Sequence, residues 1–248
     1  MSLPGLISIS LGLVLLSAPS FGADKEVQPR SVNDIEKIVR EFLFKNPEVI
    51  LEAVERYREK QREEDAKRAR MAIVERKKDI FEDPSSPVGG NPRGDVTLVE
   101  FFDYRCGHCK RFAPSLTKLL EEDDKVRVVY KEFPILGPQS VIASRAALAA
   151  KAQDRYHPFH KALMSNKKPL NEDEIMKIAS SVGVDTKRLK KDMKDPEIEK
   201  TIQRNQQLAQ ALGISGTPAL IVEDKLVPGA IPLNSLKEMI AKARAKGS

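Results

Sequence analysis

Apolar residues recur three and four positions apart soon after residue 30, a spacing typical of one face of an α-helix. The spacing occurs in two segments. The first contains Ile35, Ile38, Val39, Phe42 and Leu43, and the second contains Val49, Ile50, Ala53, Val54 and Tyr57. We expect Asn33 to cap the first helix, and Asn46-Pro47 to end it and begin the second. Two short amphipathic helices cannot enclose a core, so their apolar faces must pack against another surface.

The segment that follows these stripes is too polar to bury a face. Most residues between Glu52 and Lys78 are charged, which predicts an exposed helix or a linker. Residues 31–82 are therefore expected to form a helical arm and linker. Because the polar stretch separates the stripes from the rest of the chain, we expect the arm to form a homo-oligomer, a dimer or a trimer. The alternative is an arm that packs on its own domain.

The rest of the chain predicts strands and helices in one α/β domain. Residues 83–92 are dense in turn formers and mark the boundary. Val96–Phe102 is rich in β-branched and aromatic residues, as in a buried strand, and Lys110–Leu120 has the composition of a helix. Farther along, we expect helices over about 139–212, strands at Ala219–Val222 and Lys225–Val227, and a last helix at Leu233–Ala245.

Residues 1–22 have the pattern of a secretory signal peptide. No charged residue lies between Leu3 and Phe21, and the apolar run Leu6–Leu16 is shorter than the roughly 20 residues that a membrane span needs. Small residues follow the run, so we expect cleavage near Gly22 and export of the mature chain. The alternative is a hydrophobic strand or helix of the mature fold.

Composition narrows the classes of function. The chain has 248 residues, with 42 Lys and Arg against 36 Asp and Glu, which gives a formal net charge of +6. This excess is mild, aromatic residues are 5% and tryptophan is absent, so we expect a solvated surface and no nucleic-acid partner. The two cysteines can neither hold a small fold together nor supply a four-thiolate zinc site.

The two cysteines stand as Cys106-Gly107-His108-Cys109, between the predicted strand and the predicted helix. The unpaired N–H groups and the dipole of a helix N-terminus favour a thiolate on Cys106, and His108 would favour it further as an imidazolium. Cys109 is then close enough to attack a mixed disulfide formed at Cys106. This pattern predicts redox chemistry.

Two other hypotheses remain for the cysteine pair. One is half of a zinc site that His157 and His160 would complete. The other is a purely structural disulfide, although a bond that closes so small a loop constrains little of the unfolded chain.

The residues around the cysteines resemble a known family. Phe101–Lys110 reads FFDYRCGHCK, and Gly216-Thr217-Pro218-Ala219 follows about a hundred residues later. Together they resemble the DsbA-type thioredoxin-fold disulfide oxidoreductases of the bacterial periplasm. The pattern Phe42–Val54 is similar to the ScsC-like subgroup, whose amino-terminal helices mediate oligomerisation. The resemblance implies a thioredoxin-like fold over residues 84–246, with a helical insertion at about 139–212.

The resemblance also implies roles for particular residues. Cys106 and Cys109 would be the catalytic pair, with His108 beside them. Thr217 and Pro218 match the cis-proline loop that faces the cysteines and binds substrate, together with Gly107; the sequence alone leaves the cis state open. Glu100 matches a buried acid that helps to move the proton of the second cysteine. Its alternative is a charge at the edge of a strand. No cofactor and no metal are implied.

The expected function is thiol:disulfide interchange in the periplasm. Gly107-His108 resembles the dipeptide of protein disulfide isomerase, and Thr217 is similar to the residue that isomerases use before the proline. We therefore expect a protein that isomerises or introduces disulfides in exported proteins and has a membrane redox partner. The alternatives are a dedicated disulfide oxidase, or a surface or copper-stress protein that retains the fold.

Overall fold

The structure of the protein is a computed structural model that describes residues 31–247. The expected signal peptide, residues 1–22, lies outside the described residues. Within the described range, no helix is both long enough and apolar enough to cross a membrane.

The described chain divides into two compact units, one that ends at Glu55 and one that begins at Arg56. The first contains α1 (Val32–Lys45) and the beginning of α2 (Glu48–Glu75). The break between these helices at Asn46-Pro47 confirms the prediction. The prediction that Asn33 caps α1 is wrong, because the Ser31 side chain accepts a hydrogen bond from the backbone N–H of Asp34 and the helix begins one residue before Asn33.

The second unit contains all the strands and the remaining helices of the described chain. Its strands are β1 (Val88–Gly90), β2 (Val96–Phe102), β3 (Val126–Glu132), β4 (Ala219–Val222) and β5 (Lys225–Pro228). Its helices after α2 are α3 (Lys77–Phe81), α4 (Gly107–Glu122), α5 (Pro138–Ala150), α6 (Tyr156–Ser165), α7 (Glu172–Ser181), α8 (Thr186–Asp192), α9 (Pro196–Ala211) and α10 (Leu233–Gly247).

The five strands form one mixed sheet in the order β1-β3-β2-β4-β5. The central strand β2 pairs parallel with β3 and antiparallel with β4. Helices α5 to α9 lie between β3 and β4 in sequence and match the expected helical insertion. The structure therefore has the predicted α/β fold with a helical insertion. Strands β1 and β3 were not predicted from the sequence.

Each face of the sheet is covered by its own hydrophobic core. Alternate residues of β2 point to opposite faces, as the pleat of a strand requires. Leu98 and Phe102 belong to the core that includes α4 and the inserted helices, whereas Val99 and Phe101 belong to the core on the other face. Because both faces are buried, the strand is apolar almost throughout, which is why it could be predicted.

The end of the charged stretch packs on this second core. Ile73 of α2 and Ile80 of α3 are almost fully buried and belong to the cluster that contains Val99 and Phe101 of β2. The sequence pattern assigned residues 31–82 to the arm and linker, whereas contacts group the residues from Arg56 onward with the main unit. The physical reason is that burial of a few apolar side chains suffices to anchor an otherwise charged helix.

Candidate active site

The cysteine pair lies where the chain leaves the central strand and enters α4. Cys106 is the N-cap residue of α4, and its sulfur accepts a hydrogen bond from the backbone N–H of Cys109 at 3.4 Å. The Cys106 thiol in turn donates to the carbonyl oxygen of Thr217 at 3.2 Å. The Thr217–Pro218 peptide bond is cis. The fold thus brings together Cys106, Thr217 and Pro218, which are far apart in sequence.

The two sulfurs have different environments. Cys106 retains 6% exposure, whereas Cys109 is fully buried in the core under α4. Burial raises the pKa of the Cys109 thiol well above its usual range, and the charge of Glu100 raises it further, against a hydrogen bond with the Asp103 backbone. Cys109 therefore keeps its proton, and Cys106 is the sulfur that a partner molecule can reach.

Gly107 and His108 form the exposed start of α4. The Nδ1 atom of His108 lies 3.1 Å from a guanidinium nitrogen of Arg111, one turn farther along the helix. The hydrogen bond of this imidazole is therefore with Arg111 and with neither cysteine.

Glu100 lies inside the protein, two residues before the end of β2. It is only 2% exposed, which excludes the alternative of a charge at a strand edge. It shares a face of the sheet with Phe102, on the side of the core that holds Cys109. Burial, together with the charge of Glu132, raises the pKa of Glu100 to about 8.

Glu132 is a second buried carboxyl group that the sequence analysis missed. Its oxygens accept hydrogen bonds from the hydroxyl groups of Tyr104 and Tyr156, both at 2.9 Å, and of Ser144 at 2.7 Å. Burial raises the pKa of Glu132, whereas the three hydrogen bonds that its carboxylate accepts lower it. Apolar residues recur at alternate positions of β3, the strand that ends at Glu132. This pattern could have indicated a buried position for the carboxyl group.

Asp103 organises the loop between β2 and Cys106. Its buried carboxylate accepts hydrogen bonds from the backbone N–H groups of Arg105, Ile135 and Leu136, at 2.7 to 3.0 Å, and from the hydroxyl of Ser140 at 2.8 Å. These bonds tie the loop to the segment after β3, so they fix the approach of the chain to the cysteine.

The two histidines of the zinc hypothesis are engaged elsewhere. His157 Nε2 lies 2.7 Å from the carbonyl oxygen of Val88, and His160 Nδ1 lies 3.0 Å from the hydroxyl of Tyr104. No cluster of three or more His, Cys, Asp or Glu side chains that could hold a metal ion is found among residues 31–247. This geometry gives the zinc hypothesis no support.

A cleft of about 1,460 Å³ opens beside α4 and α6. Glu100 and His160 are among the residues that line it, as are the charged side chains of Lys110, Arg111 and Lys161. The interior carboxyl group of Glu100 therefore has a route to water.

Two family models match this chain. One, described as a DSBA-like thioredoxin domain, matches residues 97–241. The other, described as the N-terminal domain of the copper resistance protein ScsC, matches residues 33–64.

Solved structures give the same result. A thioredoxin-like oxidoreductase from Silicibacter pomeroyi DSS-3 is 47% identical, with a TM-score of 0.67 over 68% of this chain and 97% of that one. A linker-deletion mutant of ScsC from Proteus mirabilis is 30% identical, with a TM-score of 0.68 over 89% and 99%. A periplasmic thioredoxin-like protein from Salmonella enterica serovar Typhimurium is 32% identical, with a TM-score of 0.62 over 68% and 95%.

Some curated relatives are much longer than this chain. The Na⁺/H⁺ antiporter NhaA 3 of Salinispora tropica is 26% identical over 160 residues, which are 64% of this chain and 24% of that protein. The chain spans about a quarter of the length of the antiporters that it matches. The DSBA-like model covers more than half of the chain, with the cysteine pair and the cis-proline inside the match. The chain belongs to the DSBA-like thioredoxin family of thiol-disulfide oxidoreductases, in its ScsC-like branch.

Proposed function

We propose that this protein isomerises or introduces disulfides in exported proteins through Cys106 and Cys109. The observation that supports the proposal best is the difference between the two sulfurs. Cys106 is the N-cap of α4 and lies 3.2 Å from the Thr217 carbonyl, whereas Cys109 is buried and holds its proton. One sulfur is thus suited to react with a client and the other to release it.

The reaction needs no group beyond the protein and its client. In isomerisation, the Cys106 thiolate attacks a client disulfide, forms a mixed disulfide and releases one client thiolate. That thiolate can then attack another disulfide of the client, and a client thiolate freed by this exchange attacks the mixed disulfide and releases Cys106 as a thiolate. Alternatively, the Cys109 sulfur attacks Cys106, so that the Cys106–Cys109 bond forms, the client leaves reduced, and the proton of Cys109 passes to the ionised form of Glu100. Oxidation of a client follows the same steps in reverse.

In this mechanism the remaining residues orient the client and do not react. Thr217 and Pro218 offer backbone groups beside Cys106 to an extended client chain. Gly107 is exposed at the first turn of α4. Because glycine has no side chain, the approach to the Cys106 sulfur stays open there. His108 lies at the same exposed turn, next to Cys109, and its Nδ1 atom is 3.1 Å from Arg111.

The refolding of ribonuclease tests the reaction and its direction. Reduced protein should restore activity to ribonuclease with scrambled disulfides, and Cys106→Ala should abolish the recovery. Recovery of reduced ribonuclease alone, by oxidised protein alone, would instead support a dedicated oxidase. Absence of both activities would contradict the proposal and favour the hypothesis of a surface or copper-stress protein.

The arm supports a homo-oligomer. No residue of α1 is buried, and Ile35, Ile38, Val39 and Phe42 are each about half exposed on one stripe of the helix. A second copy of the same stripe would cover these side chains, and the charged residues of α1 would stay in water.

Sedimentation of the full chain tests the assembly. The mass should be that of a dimer or a trimer, and Phe42→Glu should reduce it to one chain. Lys37→Glu, on the opposite face of α1, is the matched control and should keep the assembly. A full chain that sediments as a monomer would contradict this part of the proposal.

The periplasm is the proposed location, and a membrane protein that resets the cysteines is the proposed partner. Sequencing of the mature amino terminus tests export, since cleavage near Gly22 should leave a chain that begins at about residue 23. An uncleaved chain in the cytoplasm would argue against it, because thiols there are kept reduced.

A further inference from the structure

Two carboxyl groups lie on the same face of neighbouring strands in the interior. Strands β2 and β3 run parallel, with Glu100 beside Tyr130 and Phe102 beside Glu132. The two glutamates are therefore on adjacent strands and two residues apart, a separation of about 8 Å between their Cα atoms for ordinary strand spacings. Both are nearly inaccessible, at 2% and 0% exposure. Two negative charges this close in the interior repel each other, so the pair retains one proton near neutral pH.

The hydrogen bonds decide which carboxyl group keeps that proton. Glu132 accepts three hydroxyl hydrogen bonds, from Tyr104, Tyr156 and Ser144. Glu100 makes no hydrogen bond through its carboxyl group with any residue in the described range 31–247, and it lines the cleft beside α4. Hydrogen bonds to a carboxylate stabilise the charged form. Glu132 is thus the ionised member of the pair, and Glu100 holds the proton.

A second layer keeps the hydroxyl donors oriented. Tyr104 has one hydroxyl proton, which it donates to Glu132, so the neutral imidazole of His160 must donate its Nδ1 proton to the Tyr104 oxygen. Burial lowers the pKa of His160 to about 3, which keeps it neutral. His160 also stacks on Tyr156, with ring centroids 5.7 Å apart. The Tyr104 hydroxyl therefore donates in one direction, toward Glu132.

Within residues 31–247, none of the groups that hydrogen-bond to Glu132 is a cation. Its neighbours in these contacts are Glu100 from β2, Asp103 and Tyr104 from the active-site loop, Ser144 from α5, Tyr156 and His160 from α6, and Asn205 from α9, which donates to its backbone carbonyl. Lys131, the next residue on β3, points to the opposite face of the sheet, where it pairs with Asp83. The charge of Glu132 consequently acts on Glu100.

We propose that Glu132 is a positioning residue for the exchange reaction: its charge holds the proton on Glu100, and so sets the pH at which Glu100 exchanges that proton with Cys109. The inference rests on the proposed function. When a client thiolate attacks Cys106, the Cys106–Cys109 bond breaks, a Cys106–client bond forms, and Cys109 leaves as a thiolate. The proton of Glu100 then moves to the Cys109 sulfur, and the ionised Glu100 regains a proton from water in the cleft.

The pH dependence of this step separates an electrostatic role from a structural one. We would oxidise the full chain, reduce its disulfide with dithiothreitol over a range of pH, and quantify free thiols by alkylation and mass spectrometry. After correction for the ionisation of dithiothreitol, the wild-type rate should fall around pH 8, where Glu100 loses its proton. In Glu132→Gln, this fall should move to lower pH by about one unit, as expected for two charges at this distance in a partly polarisable interior.

Two further variants make the test decisive. Tyr156→Phe removes one hydroxyl donor to Glu132 but keeps the ring, so it should shift the fall in the same direction by less, even if Glu132→Gln folds poorly. Glu121→Gln removes an exposed carboxylate at the rim of the same cleft and should leave the profile unchanged. An infrared band from a protonated carboxyl group should titrate near pH 8 in the wild type and at lower pH in Glu132→Gln.

The outcomes distinguish this inference from the proposed function. A wild-type protein without Cys106-dependent exchange at any pH would overturn the proposed function and this inference with it. An active wild-type protein whose pH profile is shared by folded Glu132→Gln or by folded Tyr156→Phe would overturn the inference alone. An equal shift in Glu121→Gln would also overturn it, because the effect would then not depend on the buried pair.

Discussion

Asp83→Asn should strongly destabilise the main unit, because it leaves a buried charge without its counter-ion. Lys131 is fully buried, and its ammonium group donates to the Asp83 carboxylate at 3.0 Å and to the backbone carbonyl of Asp79 at 2.7 Å. In the variant, the amide of residue 83 can no longer neutralise this ammonium. Breaking a buried ion pair by removal of one partner typically costs about 3–5 kcal/mol, a large share of the roughly 5–15 kcal/mol of a whole domain.

The effect should depend on pH in a defined direction. Burial alone would raise the pKa of Asp83, but hydrogen bonds from Ser85 and the charge of Lys131 lower it well below its usual range. A carboxyl group with a lowered pKa in the folded state stabilises the protein above its unfolded pKa of about 3.9, and this stability is lost as the pH falls toward the folded value. The difference between wild type and Asp83→Asn should therefore be constant at neutral pH and shrink in acid.

Urea denaturation followed by far-ultraviolet circular dichroism measures this difference. Glu197→Gln is the control, since its ion pair with Lys200 at 2.7 Å is exposed on α9 and should contribute less than about 1 kcal/mol. The double variant Asp83→Asn with Lys131→Met should recover most of the loss, because it removes the stranded charge and keeps a similar side-chain length. If Asp83→Asn unfolds within about 1 kcal/mol of wild type at neutral pH, or if the double variant recovers nothing, the reasoning is wrong.

Three further predictions follow from local geometry. Gly90→Ala should destabilise by more than Gly229→Ala, as measured by urea midpoints, because both have positive φ but only at Gly90 would the new Cβ lie 2.4 Å from a backbone carbonyl oxygen. Cys109→Ala should accumulate a mixed disulfide between Cys106 and a client, visible as a higher mass on non-reducing gels that reductant removes; absence of this species would contradict the assigned order of attack. Asn171→Ala should cost about 1 kcal/mol, since it removes the side chain that caps α7 at 2.8 Å; an unchanged midpoint would argue against the cap.

Elements with a strong local signal could be predicted from the sequence. Val96–Phe102 is a nearly continuous apolar run and forms β2 with those bounds. Asn171 and Asp195 precede their helices and cap them, as their short polar side chains favour. The cysteine pair was predicted at a strand end and a helix start for the same reason: two consecutive elements fix its surroundings locally.

The parts of the fold that could not be predicted depend on contacts between distant segments. β1 is three residues long and lies within a stretch of turn formers, where only pairing with β3 makes it a strand. Ile73 and Ile80 are isolated apolar residues in a charged region, and their burial depends on the sheet face that they meet. Such contacts leave no periodic mark on the sequence.

Lys131 and Glu132 show how far the site depends on the pairing of β3 with β2. They are adjacent in a strand whose register only the folded sheet defines, and the pleat sends them to opposite faces. Lys131 meets Asp83 near the carboxyl end of α3, whereas Glu132 meets the hydroxyl groups beside the active-site loop. The two charges should therefore be separable by experiment. Asp83→Asn should lower the free energy of unfolding and leave the pH profile of thiol exchange in the folded protein unchanged, whereas Glu132→Gln should move that profile. If Asp83→Asn moved the profile as well, the two faces of the sheet would be coupled, and the charge of Glu132 would not be acting locally on Glu100.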